Sequence, residues 1–382
     1  MKKDRIFLSS PHMSEEGYEM EYIKEAFDTN WIAPLGANVT GFEEEMCRAL
    51  KCKKAVALSS GTAAIHLALK LLNTGKGDLV FCQSLTFSAT ANPIIYEGAK
   101  PVFIDSDWET WNMSPEALEE AFQKYDKIGK RPKAVIVVHL YGLAADLEAI
   151  LEICKKYETP LIEDAAESLG TVYKGRMTGT FGDYGVISFN GNKIITSSGG
   201  GMLLCNTEDA EEKAKKALFW ATQSRDQARH YQHSELGYNY RMSNIVAGIG
   251  RGQLKVLDKR VEQKRAIYHY YKEAFGDIAH ITMMPVHDEL ERSNCWLSCM
   301  LVEGDAKVSP LDIQMALEEE NIEARPVWKP MHLQPFFKDC DYIDHGTVSQ
   351  KLFEQGVCLP SDTKMEEKDL ERIVSIVKRL WK

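Results

Sequence analysis

Seven short apolar runs, at 55–58, 79–82, 101–104, 134–138, 160–163, 186–189 and 202–205, alternate with segments of helical pattern. A half-covered strand alternates polar and apolar residues. These runs are apolar almost throughout, as strands covered on both faces must be. Helical segments at 62–73, 86–97, 114–124 and 145–156 fall between several of them. Strand, helix and strand in this rhythm build an open, mostly parallel sheet with right-handed crossovers. The runs therefore predict one large α/β domain with a seven-stranded sheet.

The flanking segments read differently. An amphipathic helix is expected over 13–28, broken by Pro34 and Gly36, with helix resuming over 40–50. Beyond the last run, 243–275 reads as one long helix, 295–302 as a strand, and 310–320 and 366–381 as helices. A chain of 382 residues exceeds one ordinary core. The expected division is a large α/β domain with its N-terminal segment over 1–255 and a smaller α+β domain over 256–382.

Composition narrows the class. With 44% hydrophobic and 27% charged residues, the chain is neither disordered nor fibrous. A net charge of -10 argues against a nucleic-acid partner. The nine cysteines are odd in number and show no CxxC spacing, so buried free thiols are expected and no metal site. The N-terminal residues carry charge without an apolar core, and no apolar run has membrane-spanning length. The expectation is a cytoplasmic protein with no membrane partner.

In open α/β sheets, ligands gather outside the carboxyl ends of the strands. After 55–58 come Ser59, Ser60, Gly61, Thr62, Ala63 and Ala64. The free N–H groups and dipole of a helix start suit a phosphate; plain capping by Ser60 or Thr62 uses the same residues. Phe87 follows the second run and can lie on a planar ring or serve the core. Glu163 and Asp164 close the fifth run, where a carboxylate can hold a protonated ring nitrogen, cap a helix or form an ion pair. Lys193 follows the sixth run, five residues after Ser188, in a loop rich in Asn, Ser, Thr and Gly. A desolvated lysine amine titrates low and attacks aldehydes; a surface lysine beside a glycine turn is the plainer alternative. A phosphate cup, a stacking ring, a carboxylate and an amine on one sheet edge are the four functions that pyridoxal phosphate requires.

With those residues in view, the chain resembles the DegT/DnrJ/EryC1/StrS family of sugar-nucleotide aminotransferases. The matching motifs are Ser59 through Ala64, Glu163 through Glu167, Gly182 through Gly185, Ser188 through Lys193, Gly199 through Gly201, and Gly237 through Ser243. The resemblance implies a fold type I pyridoxal 5'-phosphate enzyme. It implies Lys193 as the Schiff-base lysine and proton carrier, Asp164 on the pyridine nitrogen, and Thr62, Ala63 and Ser188 on the phosphate. Phe87 is implied as the stacking ring, Glu167 as facing the phenolic oxygen, and Asn239 as reaching the phosphate across a homodimer with shared sites. Many members carry Gln where Glu167 stands, and Gly-Glu-Gly-Gly where Ser198 through Gly201 stand.

Glu167, the Asn190–Leu203 pattern, Pro11 to Met13, Ile32 to Gly36 and Arg325 to His332 look like the bacillosamine-pathway subgroup. That likeness implies transfer from L-glutamate to a UDP-linked 4-keto-6-deoxy-N-acetylglucosamine, in surface glycan synthesis. Arg325 and His332 fall in a region that faces the sugar nucleotide in the family, with an ion pair and a surface histidine as the alternatives. Arg241 can meet the glutamate carboxylate or serve structure. His66 and His139 read as structural. A sugar 3-dehydratase would carry histidine in place of Lys193, and a nicotinamide dehydrogenase would show GxGxxG after the first strand. A non-catalytic pyridoxal phosphate-binding regulator and an aminotransferase for another keto-sugar nucleotide remain the alternatives.

Overall fold

The computed structural model describes residues 4–381. Met1 to Lys3, part of the charged N-terminus, and Lys382 lie outside them. Two helices come first, α1 (Tyr18–Asp28) and α2 (Ala37–Leu50). Helix α1 begins five residues later than its apolar pattern suggests. Gly17 takes the left-handed conformation at φ 75°, and the Ser14 hydroxyl bonds Glu19 Oε2 and the Tyr18 N–H instead of continuing a helix.

The sheet region follows in strict alternation: β1 (Lys54–Leu58), α3 (Gly61–Leu71), β2 (Leu79–Gln83), α4 (Ser88–Tyr96), β3 (Lys100–Ile104), α5 (Pro115–Asp126), β4 (Ala134–Val138), α6 (Leu147–Lys156) and β5 (Leu161–Asp164). A small ribbon, β6 (Val172–Tyr173) with β7 (Arg176–Met177), precedes β8 (Tyr184–Ser188) and β9 (Gly201–Cys205). All seven expected runs are strands. Most of their residues are buried, because helices α3, α4 and α7 (Ala210–Ala221) cover one face and α5 and α6 the other.

The chain continues through α8 (Asn244–Leu254), α9 (Leu257–Phe275), β10 (Ile281–Met283), β11 (Glu291–Arg292), β12 (Ser298–Val302), α10 (Pro310–Glu319), β13 (Arg325–Pro326), β14 (Asp341–Ile343), α11 (Val348–Gln355), β15 (Gly356–Leu359) and α12 (Glu367–Arg379). Strand order in the large sheet is β1-β9-β8-β5-β4-β2-β3-β14. The sheet thus has eight strands, not seven. The eighth comes from the C-terminal third and pairs parallel with β3. Asp341, Tyr342 and Ile343 run from exposed to buried, so this edge strand leaves no continuous apolar run to read. Only β9 runs against the others. Its amino end, Gly201, therefore lies on the same edge as the carboxyl ends of β1, β5 and β8.

Two further expectations change. The stretch 243–275 is two helices, because Val256 leaves helical geometry at φ -110°, ψ 9°. Gly252 on α8 is pressed against the start of α1, where a Cβ would meet Glu19 N at 2.5 Å, so packing sets the direction of α8 independently of α9. The strand expected at 295–302 begins only at Ser298. Cys295 sits at φ 47°, and the resulting bend turns Trp296 inward. Strands β10, β12, β15 and β13 form a four-stranded antiparallel sheet packed with α9, α10 and α12 around Tyr271, Phe275, Met300 and Ile373. No helix among the described residues is long and apolar enough to cross a membrane. All nine cysteines are free.

Candidate active site

A cavity of ≈ 320 Å³ opens at the sheet edge formed by the carboxyl ends of β1, β5 and β8. That size is enough for a small cofactor and part of a substrate. Ser59 to Thr62, Phe87, Thr90, Asp164, Glu167, Ser188, Lys193, Trp296 and Trp328 line it. Thus Lys193, Asp164, Glu167, Phe87, Thr62 and Ser188, expected from separate stretches of sequence, line one cavity.

The cup at the start of α3 is built from the backbone. The Ser60 side chain caps the helix by accepting from the Ala63 N–H at 3.1 Å. Ala63 therefore already spends its N–H on the cap, and it does not line the cavity; Gly61 and Thr62 do. Gly61 has no side chain, and a Cβ there would stand 3.3 Å from Ser188 Cβ, so its absence lets the Ser188 hydroxyl approach the helix end. Gly201 is more constrained still: a Cβ would fall 2.2 Å from the Ser60 carbonyl carbon. Free N–H groups, a helix dipole and a hydroxyl together make a phosphate cradle.

The two carboxylates that close β5 separate by strand alternation. Glu163 turns away from the cavity: it accepts N–H bonds from Gly179, Phe181 and Gly182 and lies 3.0 Å from His139 Nε2. Its work is to hold the 179–182 turn, and His139 is structural with it. Asp164 faces the cavity and is 5% exposed. Its Oδ2 accepts from the Thr90 hydroxyl at 2.7 Å and its Oδ1 from the Ala166 N–H at 3.1 Å. A carboxylate fixed on both oxygens and aimed into a cavity suits a protonated ring nitrogen.

Lys193 Nζ lies 3.3 Å from Glu167 Oε1 and 4.2 Å from the Trp296 ring centroid. The other Glu167 oxygen accepts the Tyr141 N–H at 2.8 Å. Burial pushes the Glu167 carboxyl up, and Lys193 pulls it partly back. Phe87 is 57% exposed and its ring stands 5.4 Å from that of Trp328. Trp328 in turn donates its backbone N–H to the Tyr141 hydroxyl at 3.0 Å. An aromatic left exposed over a cavity is available to a planar ligand. Sequence reading passed over Thr90, Tyr141, Trp296 and Trp328 as site residues. The Ser293-Asn294 pair before Cys295 was the available sign that a turn, not a strand, presents Trp296.

Besides Ala63, three residues expected at this cavity lie elsewhere. The Arg241 guanidinium bonds Glu43 Oε1 at 2.5 Å and the Ala57 carbonyl at 2.9 Å, tying α2 to β1. It does not line the cavity, because β1 and α2 claim its donors first. Arg325 is exposed and paired with Glu323 at 2.8 Å, since β13 is an outer strand of the smaller sheet. His332 bonds Ser84 Oγ at 2.7 Å and stacks on Tyr342 at 3.7 Å, and its burial pushes its pKa down. It joins β14 to β2 and does not line this cavity. Asn239 pairs with Thr222 in an isolated bridge, outside the cavity of its own chain.

These residues fit pyridoxal phosphate: the helix-end donors and Ser188 can take its phosphate, Phe87 its ring, Asp164 its ring nitrogen and Lys193 its aldehyde. The model of the DegT/DnrJ/EryC1/StrS aminotransferase family matches residues 13–378. Among relatives, EpsN of Bacillus subtilis (strain 168), which carries the name of a pyridoxal phosphate-dependent aminotransferase, is 54% identical over 99% of this chain and 96% of its own. GDP-perosamine synthase of Caulobacter vibrioides is 34% identical, covering 97% of each chain. Among solved structures, a DegT DnrJ EryC1 StrS aminotransferase from Brucella abortus superposes with a TM-score of 0.88 at 29% identity, over 96% of this chain and 95% of its own.

Proposed function

The chain belongs to the DegT/DnrJ/EryC1/StrS aminotransferase family and is a pyridoxal phosphate-dependent sugar aminotransferase, and from that premise we propose that it moves the amino group of L-glutamate to the 4-keto group of a UDP-linked 4-keto-6-deoxy-N-acetylglucosamine. The observation that carries the reading is the buried pair of Lys193 and Glu167 beside Asp164 in one cavity. The bacillosamine-type motifs, Glu167 among them, support the choice of sugar. We further propose a cytoplasmic homodimer, in which Asn239 serves the partner's phosphate cup; its position outside its own cavity supports this. The division between larger and smaller domains is proposed at the α8–α9 break, residues 1–255 and 256–382.

When bound, pyridoxal phosphate supplies an aldehyde that exchanges for the donor's amine and a ring that delocalises the electron pair left by the departing α-proton. The chain supplies the rest. Lys193 Nζ would hold the cofactor through its aldehyde and, as a free amine, is the base placed to move the proton from the donor's α-carbon. Glu167 keeps that amine beside the reacting carbon. Asp164, fixed by Thr90 and Ala166, holds the ring nitrogen protonated. The Gly61 and Thr62 N–H groups and Ser188 anchor the phosphate, while Phe87 and Trp328 cover the mouth and limit water.

A second reading is favoured by the GDP-perosamine synthase relative: the acceptor is a GDP-linked keto sugar. One experiment separates the two. The purified protein, loaded with pyridoxal phosphate, is treated with L-glutamate and followed by absorbance. Conversion to the amine form is expected, and return on adding the UDP-linked sugar. Return only with a GDP-linked keto sugar selects the second reading; no conversion by glutamate removes both.

A further inference from the structure

The peptide unit between Asn192 and Lys193 is gripped from two sides. The Trp296 Nε1–H donates to the Asn192 carbonyl at 2.7 Å, and the Ser9 hydroxyl donates to the same oxygen at 3.3 Å. Ser9 Oγ in turn accepts from Lys264 Nζ at 2.9 Å. The Asn192 carbonyl and the Lys193 N–H belong to one planar unit. Fixing the oxygen therefore fixes the plane from which the Lys193 side chain leaves. The same indole that donates to this carbonyl also presents its face to Lys193 Nζ.

Both grips are braced. Trp296 is 1% exposed, on a bend held by Asn294, whose Nδ2 donates to the Glu167 and Leu169 carbonyls at 2.8 and 2.9 Å. Cys295 holds a left-handed φ of 47° in that bend, a strained conformation that persists only where its surroundings demand it. Ser9 lies in a strap tied to the C-terminal part of the chain: Ser10 N–H donates to Asp362 at 2.9 Å, His12 Nε2 lies 2.5 Å from the same carboxylate, and the Leu8 carbonyl accepts from Ser361 N–H at 2.7 Å. Lys264, 2% exposed on α9, faces Asp362, Arg260 and Cys295. A lysine so buried has the Ser9 hydroxyl as its hydrogen-bond partner.

We propose that Trp296, Ser9 and Lys264 are positioning residues for Lys193, clamping the Asn192 carbonyl and seating the amine on the indole face. The proposal rests on Lys193 as the reacting amine. It couples the N-terminal strap and α9, far apart in sequence from the loop, to the geometry of the reacting nitrogen.

The test is the rate at which acetic anhydride labels Lys193, at one fixed pH, in the full chain freed of pyridoxal phosphate, read by mass spectrometry of the peptide that carries it. Trp296→Phe keeps a ring and loses the indole N–H. Ser9→Ala loses the hydroxyl. Lys264→Met keeps the volume and loses the donor. Each is expected to raise the labelling rate about threefold, as the amine loses its seat on the ring and is freed toward solvent. Ser9→Thr is expected to match the parent. In the double variant Ser9→Ala, Trp296→Phe, the free-energy effect on the rate is expected to fall well short of the sum, because both act on one carbonyl. Unchanged rates, or free-energy effects on the rate that simply add, overturn the proposal. Ser9→Ala removes only one hydroxyl and decides the matter if a larger change does not fold. The readout needs no turnover, so it fails or succeeds independently of amino transfer from glutamate.

Discussion

Lys193 Nζ and Glu167 Oε1 stand 3.3 Å apart with their side chains only 12% and 4% exposed. A charged pair this deep has little water to screen it. Burial raises Glu167, so its ionised form grows in over a window above the ordinary carboxylate range, and the pair with Lys193 forms as pH rises through it. Glu167→Gln keeps a hydrogen-bond acceptor without the charge. Its single-turnover rate with L-glutamate is expected to fall by on the order of tenfold or more and to lose the low-pH limb that the parent shows. A stopped-flow series across that window checks both; a Gln variant with the parent's limb would assign the limb to another group.

Lys193→Ala removes the reacting amine. The variant is expected to retain pyridoxal phosphate through the phosphate cup and Asp164. Its conversion by L-glutamate should slow by on the order of 10⁴-fold. Absorbance after glutamate addition measures this. Conversion at the parent's rate would show that another group moves the proton.

Thr90 donates to Asp164 Oδ2 from a buried position. Thr90→Val leaves that oxygen without its hydroxyl donor, a loss of about 1–3 kcal/mol at a buried group. We expect a slower half-reaction in Thr90→Val and recovery in Thr90→Ser, with thermal melts confirming that both fold. Equal rates in Val and Ser variants would mean that the Ala166 N–H suffices to orient the carboxylate.

Gly201→Ala tests the phosphate cup without touching a charged group. A Cβ there collides with the Ser60 carbonyl carbon at 2.2 Å, so β9 and the start of α3 must separate. The dissociation constant for pyridoxal phosphate is expected to rise by about tenfold or more, roughly 1.4 kcal/mol. Equilibrium dialysis gives the value, and an unchanged constant would place the phosphate elsewhere.

Burial lowers Lys264 to about 7, with Asp362 opposing the shift and Arg260 adding to it. Its folded value lies below its unfolded one, so its contribution to stability is present at high pH and lost as pH falls through about 7. Lys264→Met has no such titration. The melting temperature of the variant relative to the parent is therefore expected to be highest below pH 7 and to decline toward pH 9. A difference that does not vary with pH would mean that Lys264 titrates normally.

Much of the site was legible because it lies at strand ends. Asp164 and Ser188 end their strands, Thr62 and Lys193 follow within the next five residues, and the parallel sheet carries those strand ends to one edge. Other features had no such marker. Glu163 and Asp164 are adjacent and chemically alike, and only the pleat of β5 decides that Asp164 faces the cavity. Arg241 and His332 carry recognisable chemistry, but Glu43 and Ser84 already hold them. Trp296 sits in an apolar stretch that reads as strand until the Cys295 bend is seen.

Sequence alone determined the seven apolar strands and the helices between several of them, since a period of 2 or 3.6 and a helix cap are written in neighbouring residues. It therefore also determined the large parallel sheet and the loop that carries the lysine. Tertiary structure decided what surrounds that lysine: Glu167, Trp296 and, through Asn192, Ser9 and Lys264, drawn from stretches up to 255 residues apart. Their meeting depends on strand order, on the break between α8 and α9 and on a left-handed residue at 295. Strand order and the α8–α9 break are selected by the packing of the whole chain, and the bend at 295, begun by Ser293 and Asn294 beside it, is fixed by the Glu167 and Leu169 carbonyls that hold Asn294.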